Sequence, residues 1–189
     1  MEQPRLVVSQ QSRTVQSAAV SATLGFLSYA PVELGRVAPP ALENDFAIYR
    51  LVCSTGHVIS CVRKDGLCYL TGTDIVRIIS LRLAEMGWQI EDYRKLEEGV
   101  FSDLRNLEVG RDAIMEEAKS PLLEALFHLD CVRSRKRQRL CSWFAVEHED
   151  LLLAVLERDL RRTRLGRVSV LRALHAPATQ TDLERISMW

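Results

Sequence analysis

The sequence predicts an α+β domain in which a small antiparallel β-meander packs with several helices. Three features indicate this fold: a hairpin signal, helices with apolar stripes, and a stretch dense in β-forming residues around Trp143. The chain has 189 residues, 47% of them hydrophobic, which is enough for one substantial core. We expect one domain at 46–166, after an N-terminal arm at 1–45 that is poorly structured or holds one short helix. A C-terminal tail at 167–189 is expected to contain another short helix.

The meander is predicted from the segment that begins at Phe46. Three runs rich in β-forming residues follow one another, FAIYRLVCS, VISCVRK and LCYLTG, and Asp65-Gly66 separates the last two. Asp-Gly between β-forming runs is a strong hairpin signal, because both central residues of the tight turn need positive φ. We therefore expect three consecutive antiparallel strands.

Helices are predicted after the meander from apolar periodicity and capping residues. Thr73 is expected to cap a helix through DIVRIISLRLAEM, and Ser120-Pro121 is typical of a helix start. Short helices are expected at 92–98 and 112–119. The clearest helix is EHEDLLLAVLERDLRRTRLG, with carboxylates in its first turn and arginines in its last, as the helix dipole prefers.

The segment VRSRKRQRLCSWFAV places arginines at every second position and then becomes apolar. We favour a strand through QRLCSWFAV. If residues 133–139 are extended as well, the four arginines project to one side about 6.6 Å apart. Such a ladder can bind phosphates or read guanine in the major groove. Trp143 and Phe144 are expected to be buried and to support the ladder from the core side. The predicted DNA-binding residues are Arg133, Arg135, Lys136, Arg137 and Arg139, with support from Arg158, Arg161 and Arg162.

The formal net charge of zero conceals two oppositely charged segments. Residues 85–130 hold 12 acidic and 5 basic side chains, whereas residues 131–172 hold 11 basic and 5 acidic ones. A basic segment of this kind attracts polyanions. Two other readings stay open: the cations form a solvated face or a nuclear import signal, or the chain is a protein-interaction module whose acidic segment docks a partner.

The sequence gives no support for catalysis, a cofactor or a metal site. Motifs for nucleotide-phosphate binding, zinc proteases and nucleophilic serine are absent, and five cysteines occur without a C-x-x-C pair. We expect the cysteines to be reduced core residues. There is also no secretory signal and no apolar run of roughly 18 residues, so an intracellular protein without a membrane span is expected.

Four blocks of the sequence resemble one family. They are YLTGTDIVR (69–77), KLEEGVFSDLRNLEVGRDA (95–113), EEAKSPLLEALF (116–127) and CVRSRKRQRLCSWFAVEHEDLLLAVLERDLRR (131–162). In this order they are similar to the DNA-binding region of the fungal sterile-twelve transcription factors, over about residues 46–164. Combinations such as EEGVFSDLRNL are far more specific than any short motif.

The resemblance implies a nuclear, sequence-specific factor that binds double-stranded DNA at TGAAAC-like pheromone-response elements. It implies control of mating, invasive growth or virulence genes, below mitogen-activated protein kinases and together with other transcription factors. Homo- or hetero-oligomers on DNA are compatible with it. The family region is described as homeodomain-like, and by position its basic segment and its Trp-Phe pair fall on Arg133 to Arg139 and on Trp143-Phe144.

The sequence departs from the family pattern at two positions and in length. Glu147 stands where members usually have Pro, and Arg63 where they commonly have an aromatic residue. The chain stops at Trp189, before the regulatory region and zinc fingers of some members, so we expect a compact member or a truncated one. Val146 also occupies the position where a homeodomain carries Asn for adenine. We therefore prefer an α+β domain, homeodomain-like or winged-helix-like, over a plain three-helix fold.

Overall fold

The computed structural model describes residues 22, 24–32, 46–52 and 58–174. The strands are β1 (Phe46–Val52), β2 (Val58–Lys64), β3 (Leu67–Thr71), β4 (Trp88–Ile90), β5 (Ala113–Glu116), β6 (Gln138–Ser142) and β7 (Leu171–Ala173). The helices are α1 (24–32), α2 (Gly72–Glu85), α3 (Tyr93–Asp103), α4 (Pro121–His128) and α5 (His148–Arg164). None of the helices in these described ranges is long and apolar enough to cross a membrane.

Five strands form one antiparallel sheet in the order β1-β2-β3-β6-β5, and β4 pairs with β7 in a second, two-stranded sheet. The predicted α+β class is confirmed, and so is the meander. Asp65 and Gly66 have φ of 50° and 77°, as the tight turn between β2 and β3 requires. β6 enters the sheet beside β3 although more than sixty residues separate them, which brings the arginine-rich segment to the sheet.

Alternate residues of the large sheet face two separate apolar clusters. Leu70 and Cys141 belong to the larger cluster, which contains the apolar faces of α2, α3 and α5. Tyr69 and Leu140 belong to the smaller cluster, which α4 covers. The sheet is therefore buried on both faces. The cysteines fit this interior in part: three of the four described ones are buried, Cys68 is half-buried, and Cys53 lies outside the described residues.

Helix α1 packs on the larger cluster, and a backbone carbonyl that Pro31 leaves without its helical donor accepts a hydrogen bond there. Within a helix the carbonyl of Leu27 would accept from the backbone N–H of residue 31, but Pro31 has no N–H. The indole Nε1 of Trp143 donates to that carbonyl instead, at 3.0 Å. Phe26 is buried between Trp143 and Tyr49, with ring centroids 5.8 and 5.7 Å away.

The prediction of a helix at 112–119 is wrong, because residues 113–116 form β5. The segment AIMEE favours a helix locally, but it pairs with β6, where Ala113 lies opposite Cys141 and is buried. Pairing with a distant strand has overridden the local preference. The sequence gives no direct signal for this partner, since the paired residues run from Glu116 with Gln138 to Ala113 with Cys141.

Two helix boundaries also differ from the prediction. Thr71, not Thr73, caps α2: its Oγ1 accepts from the backbone N of Asp74 at 3.1 Å. Helix α3 begins after Asp92 and continues through Gly99 to Asp103, well past the expected end. The start of α4 after Ser120 is confirmed, and so is α5.

The C-terminal part of the described chain is tied to α5 by Asp159. This buried carboxylate accepts from the backbone N of Val170 at 2.6 Å and from the hydroxyl of Ser169 at 2.5 Å. The bonds place β7 beside β4, a pairing that the sequence does not predict. The helix expected near Thr181 to Glu184 lies outside the described residues. The boundaries proposed at 45 and 166 stay predictions.

Candidate nucleic-acid interface

The arginine-rich segment is only partly a strand. β6 begins at Gln138, where its pairing with β5 ends, and the residues before it form a bent loop. We call residues 133–137 the basic loop. The strand predicted through QRLCSWFAV is confirmed in part, as β6. The ladder that an extended 133–139 would give is not formed, because residues 133–137 pair with no strand among the described residues. Arg139 is the one arginine of the four that lies within β6.

Each arginine of the basic loop forms an ion pair with a carboxylate on a different part of the fold. The three partners lie on α3, on α4 and shortly before α4, and the arginine side chains are 51 to 62% exposed. Exposed pairs of this kind contribute little to stability, so the arginines can exchange partners. The pairs are Arg133 Nη1 with Glu97 Oε2 at 2.7 Å, Arg135 Nη1 with Glu124 Oε2 at 3.4 Å, and Arg137 Nη2 with Glu117 Oε1 at 3.1 Å.

The Arg133 pair differs from the other two because its carboxylate is buried. The side chain of Glu97 on α3 is 11% exposed, and its Oε1 atom has no hydrogen-bond partner among the described residues. A buried carboxylate without a cation is costly. Arg133 is therefore held in place by α3 more firmly than its own exposure indicates.

Arg135 and Lys136 form the outer part of the basic loop. The guanidinium of Arg135 lies 4.6 Å from the centre of the Phe127 ring, a cation–π distance, and the carbonyl of Arg135 accepts from the backbone N of Lys119. Lys136 is exposed and makes no ion pair with any residue in the described ranges. The loop thus presents one free ammonium group beside an anchored guanidinium.

Arg139 has a different environment from the loop arginines. Its Nη1 atom donates to the backbone carbonyls of Leu104 at 2.8 Å and Leu107 at 3.2 Å. These carbonyls lie at the 3-10 turn that follows α3, and the Leu104 carbonyl also accepts from the backbone N of Leu107 at 3.3 Å. Arg139 therefore ties β6 to the end of α3.

Arg158 of α5 is likewise occupied by α3. Its Nη2 atom lies 2.6 and 2.5 Å from the two carboxylate oxygens of Asp103. A Cβ atom at Gly99 would lie 2.2 Å from Arg158 Nη1, so the missing side chain provides the space for this guanidinium. Glu97 and Asp103 are six residues apart, or about 9 Å along the helix. Helix α3 thus holds the basic loop and α5 close together.

The last turn of α5 and the residues just after it carry arginines without acidic partners among the described residues. Arg161, Arg164 and Arg167 are exposed and make no ion pair with any other part of the chain that the structure describes. Arg162 donates from Nε to the carbonyl of Val168 at 3.2 Å. We call residues 161–167 the α5 end. Arg164 and Arg167 were not among the predicted site residues, although the stop signal at Gly166, which has φ of 66°, marks this end in the sequence.

The Trp-Phe pair is divided between core and surface. Trp143 is 5% exposed, as expected, whereas Phe144 is 82% exposed and the prediction that it is buried is wrong. Residues 143–145 form a 3-10 turn, in which successive side chains point about 120° apart. Burying Trp143 therefore turns Phe144 outward.

Comparisons with known proteins identify the family. The family model of the STE-like transcription factors matches residues 34–188. The chain is 43% identical over 141 residues to the transcription factor MST12 of Pyricularia oryzae, covering 75% of this chain and 20% of that protein. It is 45% identical over 142 residues to the protein STE12 of Kluyveromyces lactis, covering 75% and 21%.

A third relative, the protein STE12 of Saccharomyces cerevisiae, is 39% identical over 142 residues, again covering 75% of this chain and 21% of the relative. The chain thus spans about a fifth of the length of these relatives. No solved structure matches it. The relatives are named as transcription factors or STE12 proteins, and none is named as an enzyme. The chain belongs to the family of STE-like transcription factors.

Proposed function

We propose that this chain is the DNA-binding part of a nuclear transcription factor that recognises TGAAAC-like elements in duplex DNA and regulates mating, invasive growth or virulence genes. The family supports transcription and DNA binding in general. The observation that carries the proposal is that α3 contacts both arginine-bearing elements: Glu97 pairs with Arg133 of the basic loop, and Asp103 pairs with Arg158 of α5. Other transcription factors and kinase-pathway regulators are its proposed partners.

The α5 end supplies attraction that does not depend on sequence. Its three exposed arginines have no carboxylates to displace, so each can neutralise a phosphate and release a counterion. Their position at the helix C-terminus costs nothing, because the dipole there favours cations. Arg161 and Arg162 were predicted as support, and Arg164 and Arg167 extend the same surface.

The basic loop supplies discrimination. Arg135 and Arg137 each have an exposed carboxylate partner that DNA displaces at a small cost, and a contact of matching geometry more than offsets that cost. An arginine that faces guanine N7 and O6 offers such a match. Arg139 and Arg158 hold the two segments in place, because their guanidinium groups are already bonded within the fold.

The test is fluorescence anisotropy on a TGAAAC-containing duplex and a scrambled duplex, at about 50 and about 200 mM salt. The wild-type protein should prefer the element and lose affinity steeply with salt. Arg135→Ala with Arg137→Ala should remove about 1 to 3 kcal/mol of discrimination per base-reading arginine. The control is Arg94→Ala with Arg111→Ala, which removes two other exposed, ion-paired cations outside the basic loop.

The outcomes separate the two functions. If the loop variant keeps the full preference for the element, the basic loop is not the reading surface. If the wild-type protein binds both duplexes equally and weakly, the DNA-binding proposal fails. That result would favour the alternative, a protein-interaction module of a transcription complex that has lost autonomous DNA binding.

A further inference from the structure

A groove of about 250 Å³ lies between the start of α5 and the 3-10 turn that follows α3. Its lining is mostly apolar: Leu104 and Leu107 come from the turn after α3, Val146 from the segment before α5, and Leu151 and Ala154 from the first half of α5. Leu104 and Val146 are buried, so the floor is continuous with the core.

The rim of the groove is acidic. Its lining includes three acidic residues, Asp103, Glu147 and Asp150, and no lysine, arginine or histidine. Asp103 is neutralised by Arg158, but Glu147 and Asp150 are exposed and make no ion pair with the described residues. Glu147 precedes α5 without forming a side-chain capping bond, so its carboxylate is available to a ligand.

We propose that this groove binds a short segment of a partner protein that carries a large apolar side chain flanked by lysine or arginine. The apolar floor accepts the central side chain, and the two free carboxylates attract the flanking cations. The same charges repel nucleic acid, so the groove is distinct from the DNA-binding surface. Phe144, next to the lining residue Ala145, adds exposed apolar surface.

The groove lies beside the proposed DNA interface. Its floor residues Leu104 and Leu107 are the two whose carbonyls accept from Arg139, one residue into the strand that follows the basic loop. A bound segment thus contacts the same turn that holds β6 in place. The partner protein would lie next to the bound DNA without covering the DNA-binding surface.

The probe is a fluorescein-labelled peptide of sequence Lys-Arg-Leu-Phe-Arg-Lys, titrated with the full chain by anisotropy in the absence of DNA. Two control peptides each retain one feature of the probe. Glu-Glu-Leu-Phe-Glu-Glu retains the apolar centre but reverses the charges, and Lys-Arg-Ser-Ser-Arg-Lys retains the charges but has a polar centre. The proposal requires that the first peptide binds best. Because DNA is absent, the result does not depend on the proposed function.

Two variants test the site itself. Glu147→Gln with Asp150→Asn should weaken the probe about fivefold, since two favourable charge contacts are lost. Glu149→Gln with Glu157→Gln removes two other exposed carboxylates of α5 and should leave the affinity unchanged. Ala154→Trp should fill the groove and abolish binding, with circular dichroism confirming the fold.

Methyl NMR spectra of Leu104, Leu107 and Leu151 give an independent readout, because their signals should shift on adding the probe. Equal binding of the acidic peptide would overturn the proposal, and so would equal weakening by both double variants. Binding of the Ser-Ser peptide as tightly as the probe would show general charge attraction and also overturn it.

Discussion

The basic loop and the α5 end carry similar numbers of cations but in different surroundings. In the loop, Arg133, Arg135 and Arg137 each lie beside a carboxylate, whereas Arg161, Arg164 and Arg167 at the α5 end have none within the described residues. The loop partners come from the acidic segment 85–130. The two oppositely charged segments are therefore interleaved in space, at the loop and also where Arg158 pairs with Asp103 and Arg172 pairs with Glu91.

The difference indicates that local cation density does not measure how strongly a segment attracts DNA. Ion pairs reduce the field of the loop, while the field of the α5 end is unreduced. A third group, Arg139 and Arg158, is bonded within the fold and serves structure. The predictions below test this division.

The largest effect is expected for Arg139→Ala. It removes both hydrogen bonds to the turn after α3 and should lower the free energy of unfolding by about 2 kcal/mol. Arg164→Ala is the matched control and should change it by less than about 0.5 kcal/mol. Urea denaturation followed by circular dichroism measures both. Equal midpoints for the two variants would remove the distinction between bonded and free arginines.

The other end of α5 can be probed by pH. Burial lowers the pKa of His148 to about 4, and its Nδ1 atom has no hydrogen-bond partner among the described residues. Because the folded pKa lies below the unfolded value near 6.5, the unfolded chain takes up the proton first, and stability falls as pH drops from 6.5 toward 4. Between pH 7 and 5 the wild-type protein should lose about 2 kcal/mol relative to His148→Gln.

This measurement requires a comparison between the two proteins, because Asp74 acts in the opposite sense. Burial raises the pKa of Asp74 to about 6, above the value of an unfolded Asp, so its contribution to stability grows as the pH falls. Both proteins retain Asp74, and its contribution cancels in their difference. If that difference is the same at pH 7 and pH 5, His148 does not titrate with folding.

The third expected effect is on DNA affinity. Arg161→Ala with Arg164→Ala should weaken binding to the element and to the scrambled duplex alike, about tenfold at low salt. The slope of log affinity against log salt should become shallower by about two, one for each lost phosphate contact. Anisotropy at several salt concentrations gives both quantities. A loss confined to the element would assign base reading to the α5 end.

The smallest effect has the opposite sign. Glu117→Gln with Glu124→Gln frees Arg137 and Arg135, so affinity for the scrambled duplex should rise about threefold, and the preference for the element should fall. Glu98→Gln with Glu108→Gln removes two exposed carboxylates that pair with other arginines and serves as the control. If the affinity for the scrambled duplex does not rise relative to that control, Glu117 and Glu124 do not screen the loop arginines from DNA.

The sequence predicts the elements whose signals are local. Asp65-Gly66 identifies the hairpin, and Ser120 caps α4 with its hydroxyl accepting from the backbone N of Leu123 at 3.1 Å. It does not predict β5, whose partner β6 is distant along the chain. The sequence-based prediction also ends α3 too early, at residue 98. Glycine is typical of a helix end, but in the structure the missing side chain of Gly99 provides room for Arg158.

The candidate site follows the same rule. The arginines are evident in the sequence, but their carboxylate partners are set by how α3, α4 and β5 pack around the loop. The exposure of Phe144 could not be predicted either, since a strand and a 3-10 turn through WFA place its side chain on different sides. Residue type was thus predictable at the site, and residue environment was not.

The bond between Trp143 and the Leu27 carbonyl sets a limit on how the chain can be shortened. A fragment that starts at Phe46 retains every strand of the large sheet but loses the helix that covers Trp143 and Tyr49. The indole N–H of Trp143 would lose its acceptor, and the faces of Trp143 and Tyr49 that the helix covers would be exposed to solvent. Such a fragment would aggregate more readily than the longer chain, so binding assays on it would report a damaged protein.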